Sequence, residues 1–153
     1  MGKLTNYLRI KIKEYGSDVA LKLSQSHLTH WFIDILGLKD SHTMNNPVTK
    51  LIGKCLDAPP ASGEFNYWSA IGVAMYLTNN MHLDCSMAVH QCAHFCASPH
   101  LPHEKAMKCI GWYLKGLQTK GLIIQSTTSL NLDCYVDTDF AGIWVYEDKQ
   151  DPS

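Results

Sequence analysis

Histidine and cysteine, which are common zinc ligands in proteins, are concentrated in one stretch of this sequence. Residues 65–116 contain five of the eight histidines and four of the six cysteines. Within this stretch His90, Cys92, His94 and Cys96 alternate along the chain. Because imidazole and thiolate are the ligands of a tetrahedral zinc site, a metal centre is one interpretation of the alternation.

The periodicity of the same segment separates these side chains. Between residues 83 and 96 the apolar residues recur at helical spacing, and the expected buried face holds Cys85, Ala88, Val89, Cys92, Phe95 and Cys96. His90 and His94 fall outside this face, one helical turn apart. We therefore expect buried structural thiols. A metal site that uses His90 and His94 alone is an alternative.

Two carboxylates near the C-terminus form a second candidate site. The stretch from Leu130 to Val136 has the alternation of a β-strand, and its continuation places Asp137 and Asp139 on one face. Carboxylates two residues apart on a strand can share a hard cation such as Mg²⁺. A solvated strand end has the same pattern, so the residues alone leave both interpretations open.

Lysines mark a third candidate. A helix is predicted from Pro102, which is tolerated in a first helical turn, to about Gly116. Lys105, Lys108 and Lys115 lie opposite its apolar stripe. Such a row is either a solvated helix face or a surface that follows a phosphate backbone.

The elements before residue 64 are a hairpin, a helix and a linker. Alternation over residues 4–13 and 19–23 predicts two antiparallel strands. Residues with helical spacing follow, Ser24 or Ser26 can cap the helix and Gly37 ends it. The apolar residues of this helix are Leu28, Trp31, Phe32, Ile35 and Leu36. Residues 41–63 are rich in Pro, Asn, Ser and Gly, which is typical of a linker.

The rest of the chain predicts a helical body followed by strands. A helix from Tyr67 to Leu77 precedes the two described above, and residues 121–125 and 130–136 form a second hairpin. The expected fold class is therefore α+β. We divide the chain into residues 1–40, a linker at 41–63, a helical region at 64–120 and a C-terminal region at 121–153.

Composition limits the protein class. The chain has 153 residues and is 46% hydrophobic, which is enough for a real core. No apolar run approaches the roughly 20 residues of a membrane span, and the N-terminus lacks a secretory apolar region. We expect an intracellular protein, cytoplasmic or nuclear rather than secreted, without a membrane partner, whose cysteines are reduced.

Seven segments, in order, resemble the Pol polyprotein of copia-type LTR retrotransposons. They are MGKLTNYLRIKI, LSQSHLTHWFIDILGL, FNYWSAIGVAMYLTNN, MAVHQCAHF, LPHEKAMKCIGWYLKG, GLII and LDCYVDTDFAG. The resemblance covers nearly the whole chain. It implies the end of the reverse transcriptase palm and thumb in residues 1–40, the connection helices in 64–120 and the opening strands of RNase H in 121–153.

The resemblance gives several residues a role. Asp137 matches the first-strand carboxylate that helps to hold the magnesium ions of RNase H, and Asp139 is its neighbour. Template and primer strands of RNA and DNA are the implied partners, as are the palm, the fingers and the remainder of RNase H. The polymerase motif Tyr-x-Asp-Asp, expected before Met1, and the later RNase H carboxylates, expected after Ser153, are not in this sequence. We therefore expect an incomplete fragment that binds no cofactor and is inactive alone.

Departures from the family pattern concern nucleic-acid contact. Trp68, His82, Cys109 and Trp112 stand where the family usually carries arginine, whose planar guanidinium binds phosphates in two places at once. Two alternatives to a polyprotein fragment remain. One is a small nucleic-acid-binding or interaction module that uses the lysines from Lys105 to Lys115. The other is a metal-binding protein that uses His90 and His94, which stoichiometric zinc in a purified sample would identify.

Overall fold

Four α-helices and a four-stranded antiparallel sheet form the part of the chain that the computed structural model describes, residues 4–15, 20–48, 52–55 and 57–125. The predicted α+β class is therefore confirmed. The strands are β1 (Asn6–Tyr7), β2 (Ile10–Tyr15), β3 (Ala20–Ser24) and β4 (Leu122–Gln125). The helices are α1 (Ser26–Ile35), α2 (Tyr67–Asn80), α3 (Ser86–Ala93) and α4 (Leu101–Gly116).

The N-terminal segment forms two strands where the alternation of residues 4–13 predicted one. A two-residue turn at Leu8 and Arg9, with φ angles of 46° and 63°, separates β1 from β2. Such turns match the right-handed twist of a hairpin, although positive φ is unfavourable for residues other than glycine. The Tyr76 hydroxyl on α2 donates a hydrogen bond of 2.5 Å to the Leu8 carbonyl oxygen, which ties the turn to the helices.

The strand β4 closes the sheet on the other side. It pairs antiparallel with β3, from Ala20 opposite Gln125 to Leu23 opposite Leu122. A β-carbon on Gly121 would lie 2.2 Å from the Leu23 carbonyl oxygen, so this approach requires glycine. The expected second strand of the C-terminal hairpin, residues 130–136, lies outside the described residues.

The start of helix α1 differs from the prediction, whereas its end matches it. Its N-cap is Gln25, which makes no side-chain capping bond, so the predicted capping by Ser24 or Ser26 is wrong. At the other end Gly37 takes a φ of 66°, the left-handed conformation that stops a helix. Trp31 shares the helical spacing of the apolar residues but is 46% exposed, whereas Ile33 is buried.

The three central helices appear in the predicted order with changed ends. The helix α2 runs on to Asn80, and the Asn66 side chain caps its start by accepting a hydrogen bond from the Ser69 N–H. The predicted helix over residues 83–96 becomes a 3₁₀ turn, Leu83–Cys85, followed by α3. Beyond Ala93 the N–H of Cys96 bonds three residues back, to the Ala93 oxygen, so the last turn tightens and the α-helix ends.

The hydrophobic core joins all four helices. Among the described residues it includes Leu28, Phe32, Ile33, Leu36, Leu38, Ala70, Ile71, Ala74, Leu77, Val89, Cys92, Met107, Ile110 and Leu114. Gly111 lets α4 approach the end of α1, because a β-carbon there would lie 2.6 Å from the side chains of Leu36 and Leu38. Val48 and Ile52, from the predicted linker, also pack against the core. The division into four regions stays a prediction.

Candidate functional site

The two predicted magnesium ligands cannot be located. Asp137 and Asp139 both lie outside the residues that the structure describes. Their role in a remnant RNase H site therefore stays a prediction, and the candidate sites that can be built from geometry lie elsewhere.

The three lysines of α4 differ in what they contact. Lys105 is exposed. Lys108 forms an ion pair with Glu64, in the segment before α2. Lys115 donates hydrogen bonds to the main-chain oxygens of Leu38 and Lys39, at 3.0 and 2.7 Å, and to that of Ser41. Two of the three ammonium groups thus hold the flanking loops against α4.

The loop over α4, which includes His42, Met44 and Val48, also covers Trp112 and Cys109. The Trp112 indole stacks on the His42 ring with centroids 4.6 Å apart, and the Trp112 carbonyl accepts a hydrogen bond from the Met44 N–H. Cys109 lies under the same loop, beside Val48. Trp112 and Cys109 are thus part of a contact between helix and loop.

His90 and His94 lie at the end of α3 and are both exposed. The helix ends at Ala93, so His94 is its C-cap residue. Across residues 4–15, 20–48, 52–55 and 57–125, no group of three or more His, Cys, Asp or Glu side chains is arranged to hold a metal ion. The two-histidine alternative has no third ligand among these residues.

The cysteines of the helical body behave as core residues. Cys85 and Cys92 are fully buried, and burial raises the pKa of each thiol to about 12. Thiols with such pKa values are protonated and unreactive at neutral pH. The five cysteines in the described part, which also include Cys55, Cys96 and Cys109, are free.

Glu104, in the first turn of α4, joins this helix to the segment at Ser62 and Gly63. The residue is 4% exposed, and its carboxylate accepts hydrogen bonds from the Ser62 N–H at 2.9 Å, the Ser62 hydroxyl at 2.8 Å and the Gly63 N–H at 3.1 Å. Burial raises the pKa of Glu104, but these bonds and the charge of Lys108 outweigh it and hold the pKa below its ordinary value. The carboxylate anchors the segment that leads into α2.

His103 makes a separate junction, between the start of α4 and Gly53. Its Nδ1 accepts a hydrogen bond from the His100 N–H at 2.8 Å, so Nε2 carries the proton and lies 3.4 Å from the Gly53 oxygen. The ring stacks on Phe95 with centroids 4.0 Å apart. Burial lowers the pKa of His103, and this neutral, fully bonded imidazole is therefore a structural group.

A groove between the sheet and the helices was not expected from the sequence. It has a volume of about 480 Å³ and lies where the turn at Leu8 and Arg9 meets α1 and α2. Trp31 and Tyr76 form part of its wall. In the sequence this groove is indicated only by Trp31, a large apolar side chain at the edge of the apolar face of α1.

A second group of lysines lies on the sheet. Lys11 and Lys13 of β2 and Lys22 of β3 line a trench of about 210 Å³ together with Ser24, Ser26 and Thr119. The alternation of β2 in the sequence already indicates that Lys11 and Lys13 share one face of the sheet. The sequence could not pair β2 with β3 residue by residue.

Comparison with known proteins gives two similar sequences. The chain is 27% identical over 142 residues to the uncharacterized mitochondrial protein AtMg00810 of Arabidopsis thaliana, covering 93% of the chain and 58% of that protein. It is 36% identical over 76 residues to the secreted RxLR effector protein 161 of Plasmopara viticola, covering 50% of the chain and 54% of that protein. The chain therefore spans little more than half the length of either relative.

Other comparisons place limits on this result. No protein-family model matches the chain, and no solved structure matches it. Among the helices that the structure describes, none has the length and apolar character of a membrane span.

Proposed function

We propose that this chain is part of a copia-type retrotransposon Pol polyprotein, from the end of the reverse transcriptase into the start of RNase H. One observation carries the proposal: the resembling segments coincide with structural elements. In chain order, the first six correspond to β1 with β2, the end of β3 with α1, then α2, α3, α4 and β4. The seventh, around Asp137, lies outside the described residues. Similarity to the Arabidopsis protein over 142 residues supports one continuous origin for these segments.

The proposed role of the chain is binding without catalysis. Two-metal catalysis needs several carboxylates around the scissile phosphate, and this sequence supplies Asp137 and Asp139 without the later carboxylates of the family. The motif Tyr-x-Asp-Asp is also absent from the sequence. Magnesium belongs to the parent enzyme, in which Asp137 would be one ligand. RNA-directed DNA synthesis and integration are the activities of that parent.

The polar groups of the helical body are bound to other parts of the protein. Glu104, His103, Lys108 and Lys115 each contact a loop, and their hydrogen bonds hold the junctions between elements. A general acid or base must instead reach a substrate proton, in a cleft open to that substrate. These four residues therefore serve the fold.

A hybrid-binding and cleavage assay tests the proposal. The purified chain is incubated with an RNA–DNA hybrid labelled on the RNA strand, with Mg²⁺ and separately with Mn²⁺. We expect a retarded hybrid on a native gel and intact RNA on a denaturing gel. Cleavage that is lost in Asp137→Asn would overturn the inactive assignment. A chain that retards neither hybrid nor DNA duplex at low salt would overturn the binding assignment.

A further inference from the structure

One face of the sheet brings three lysines together at a distance where their charges repel. Lys11 and Lys13 are two residues apart on β2, about 7 Å along the strand. Lys13 lies directly opposite Lys22 on β3, and directly opposed β-carbons are about 5 Å apart. Like charges in such a pair destabilise a sheet. The fold thus tolerates a concentration of positive charge that does nothing for its own stability.

The described surroundings of these three lysines supply no carboxylate partner. Within the described part of the chain, no carboxylate forms an ion pair with Lys11, Lys13 or Lys22, and the contact of the Lys22 ammonium is the Thr119 carbonyl oxygen at 3.4 Å. Glu14 lies between Lys13 and the end of β2, and strand alternation puts it on the opposite face. The three charges therefore face the trench together.

The trench supplies the other groups that a phosphate needs. Hydroxyl-bearing Ser24, Ser26 and Thr119 line it with the three lysines, and its volume of about 210 Å³ is several times the roughly 30 Å³ share of one water molecule. Ser26 is the first residue of the ten-residue helix α1, which has no acidic residue in its first turn and no side-chain cap. The positive end of that helix adds to the attraction for an anion.

We propose that Lys11, Lys13 and Lys22 form a phosphate-binding site on the sheet, which holds the backbone of a nucleic acid. The choice of a nucleic acid as ligand rests on the proposed function. The contact is assigned to the sheet and not to α4. Lys11 and Lys13 follow one strand and Lys22 lies beside them, so the three can contact successive phosphates of a nucleic-acid backbone. A single free anion would occupy only one of these positions. In α4, by contrast, Lys108 and Lys115 are committed to protein partners.

A triple variant and a control variant test the site. The first is Lys11→Gln, Lys13→Gln and Lys22→Gln, and the control is Lys39→Gln with Lys54→Gln, which removes two exposed charges elsewhere. Binding of a labelled RNA–DNA hybrid is measured by fluorescence anisotropy at several salt concentrations. Each phosphate contact contributes about 0.9 to the slope of log K against log salt. We expect the first variant to lose about 2 to 3 units of slope and the control less than one.

A stability measurement separates binding from folding. Because Lys13 and Lys22 repel one another, we expect the first variant to unfold in urea at a midpoint equal to or above that of the wild type. A clearly lower midpoint would mean that the lysines are structural, and would overturn the proposal.

The remaining outcomes are distinct. Equal slopes for both variants, in a wild type that binds the hybrid, would overturn this site while leaving the proposed function intact. A wild type that binds no hybrid would overturn both. In that case, inorganic phosphate that shifts the backbone amide resonances of Lys13, Lys22 and Ser26 would identify a site for small anions in place of a nucleic-acid contact.

Discussion

Removal of the Glu104 carboxylate should loosen the junction between the 62–63 segment and α4. Glu104 is 4% exposed, and its carboxylate accepts three hydrogen bonds of 2.8 to 3.1 Å. A hydrogen bond to a charged group contributes about 1.5–3 kcal/mol. Since Ser62 and Gly63 are themselves exposed, water can reach their N–H groups once the carboxylate is gone. We therefore expect Glu104→Ala to lower the free energy of unfolding by about 2–3 kcal/mol, near one charged bond rather than three.

Two further variants separate the effect of the Glu104 charge on stability from the effect of its side-chain shape. Glu104→Gln keeps one acceptor oxygen and the packing but loses the charge, and we expect a loss of about 1–2 kcal/mol. Lys105→Ala, one position along and on the exposed side, is the control and should stay within about 0.5 kcal/mol of the wild type. Urea unfolding followed by far-UV circular dichroism measures all three.

The pH dependence of the same variants gives an independent test. The pKa of Glu104 is lowered in the folded chain, so its stabilisation is present above its unfolded value of about 4.3 and is lost as the pH falls through the folded pKa. The acid-side loss of stability should be shallower in Glu104→Gln. Equal stability of Glu104→Ala and Lys105→Ala at pH 7, with equal acid profiles for Glu104→Gln and the wild type, would refute the assignment of an anchoring carboxylate.

Three other predictions concern the helical body. Gly111→Ala should destabilise the fold by about 1–3 kcal/mol, because the added methyl group would collide with side chains at the end of α1. Gly72→Ala in α2 has open space around it and should stabilise the fold by about 0.5–1 kcal/mol. Urea unfolding measures both. The pKa of His103 is lowered in the folded chain, so the unfolded chain binds more protons as the pH falls below about 6.5. His103→Gln should therefore lose less stability than the wild type between pH 7 and 5 in urea unfolding, and an equal loss would contradict the buried neutral imidazole. In native protein at neutral pH, iodoacetamide should modify Cys55 well before Cys92, and equal rates would contradict the burial of Cys92.

Local patterns predicted the elements better than their contacts. The apolar spacing of the central segment and the stop at Gly37 depend on neighbours within one or two turns. The three central helices are present with changed ends, and the stop at Gly37 is confirmed. The contact between Glu104 and Ser62 joins residues 42 positions apart, and that between Lys115 and Leu38 joins residues 77 apart. No local periodicity encodes such pairs, so the lysines of α4 looked like a free row when two of them are bound to loops.

The candidate site on the sheet shows the same limit. Alternation along β2 indicated that Lys11 and Lys13 share a face, but only the register of β2 against β3 brings Lys22 opposite Lys13. Likewise, the sequence predicted a strand at residues 121–125, and the backbone approach at Gly121 that pairs it with β3 became visible only in three dimensions. The carboxylates at Asp137 and Asp139 remain a prediction from the resemblance.

The DNA that adjoins the gene tests the central claim most directly, namely that the chain is part of a copia-type Pol polyprotein. Sequencing of both flanks, translated in all frames, should reveal a Tyr-x-Asp-Asp motif upstream of the codon for Met1. Downstream of the codon for Ser153 it should reveal the further acidic residues of RNase H. A reading frame that continues in phase through both ends into sequence unrelated to reverse transcriptase or RNase H would contradict the account.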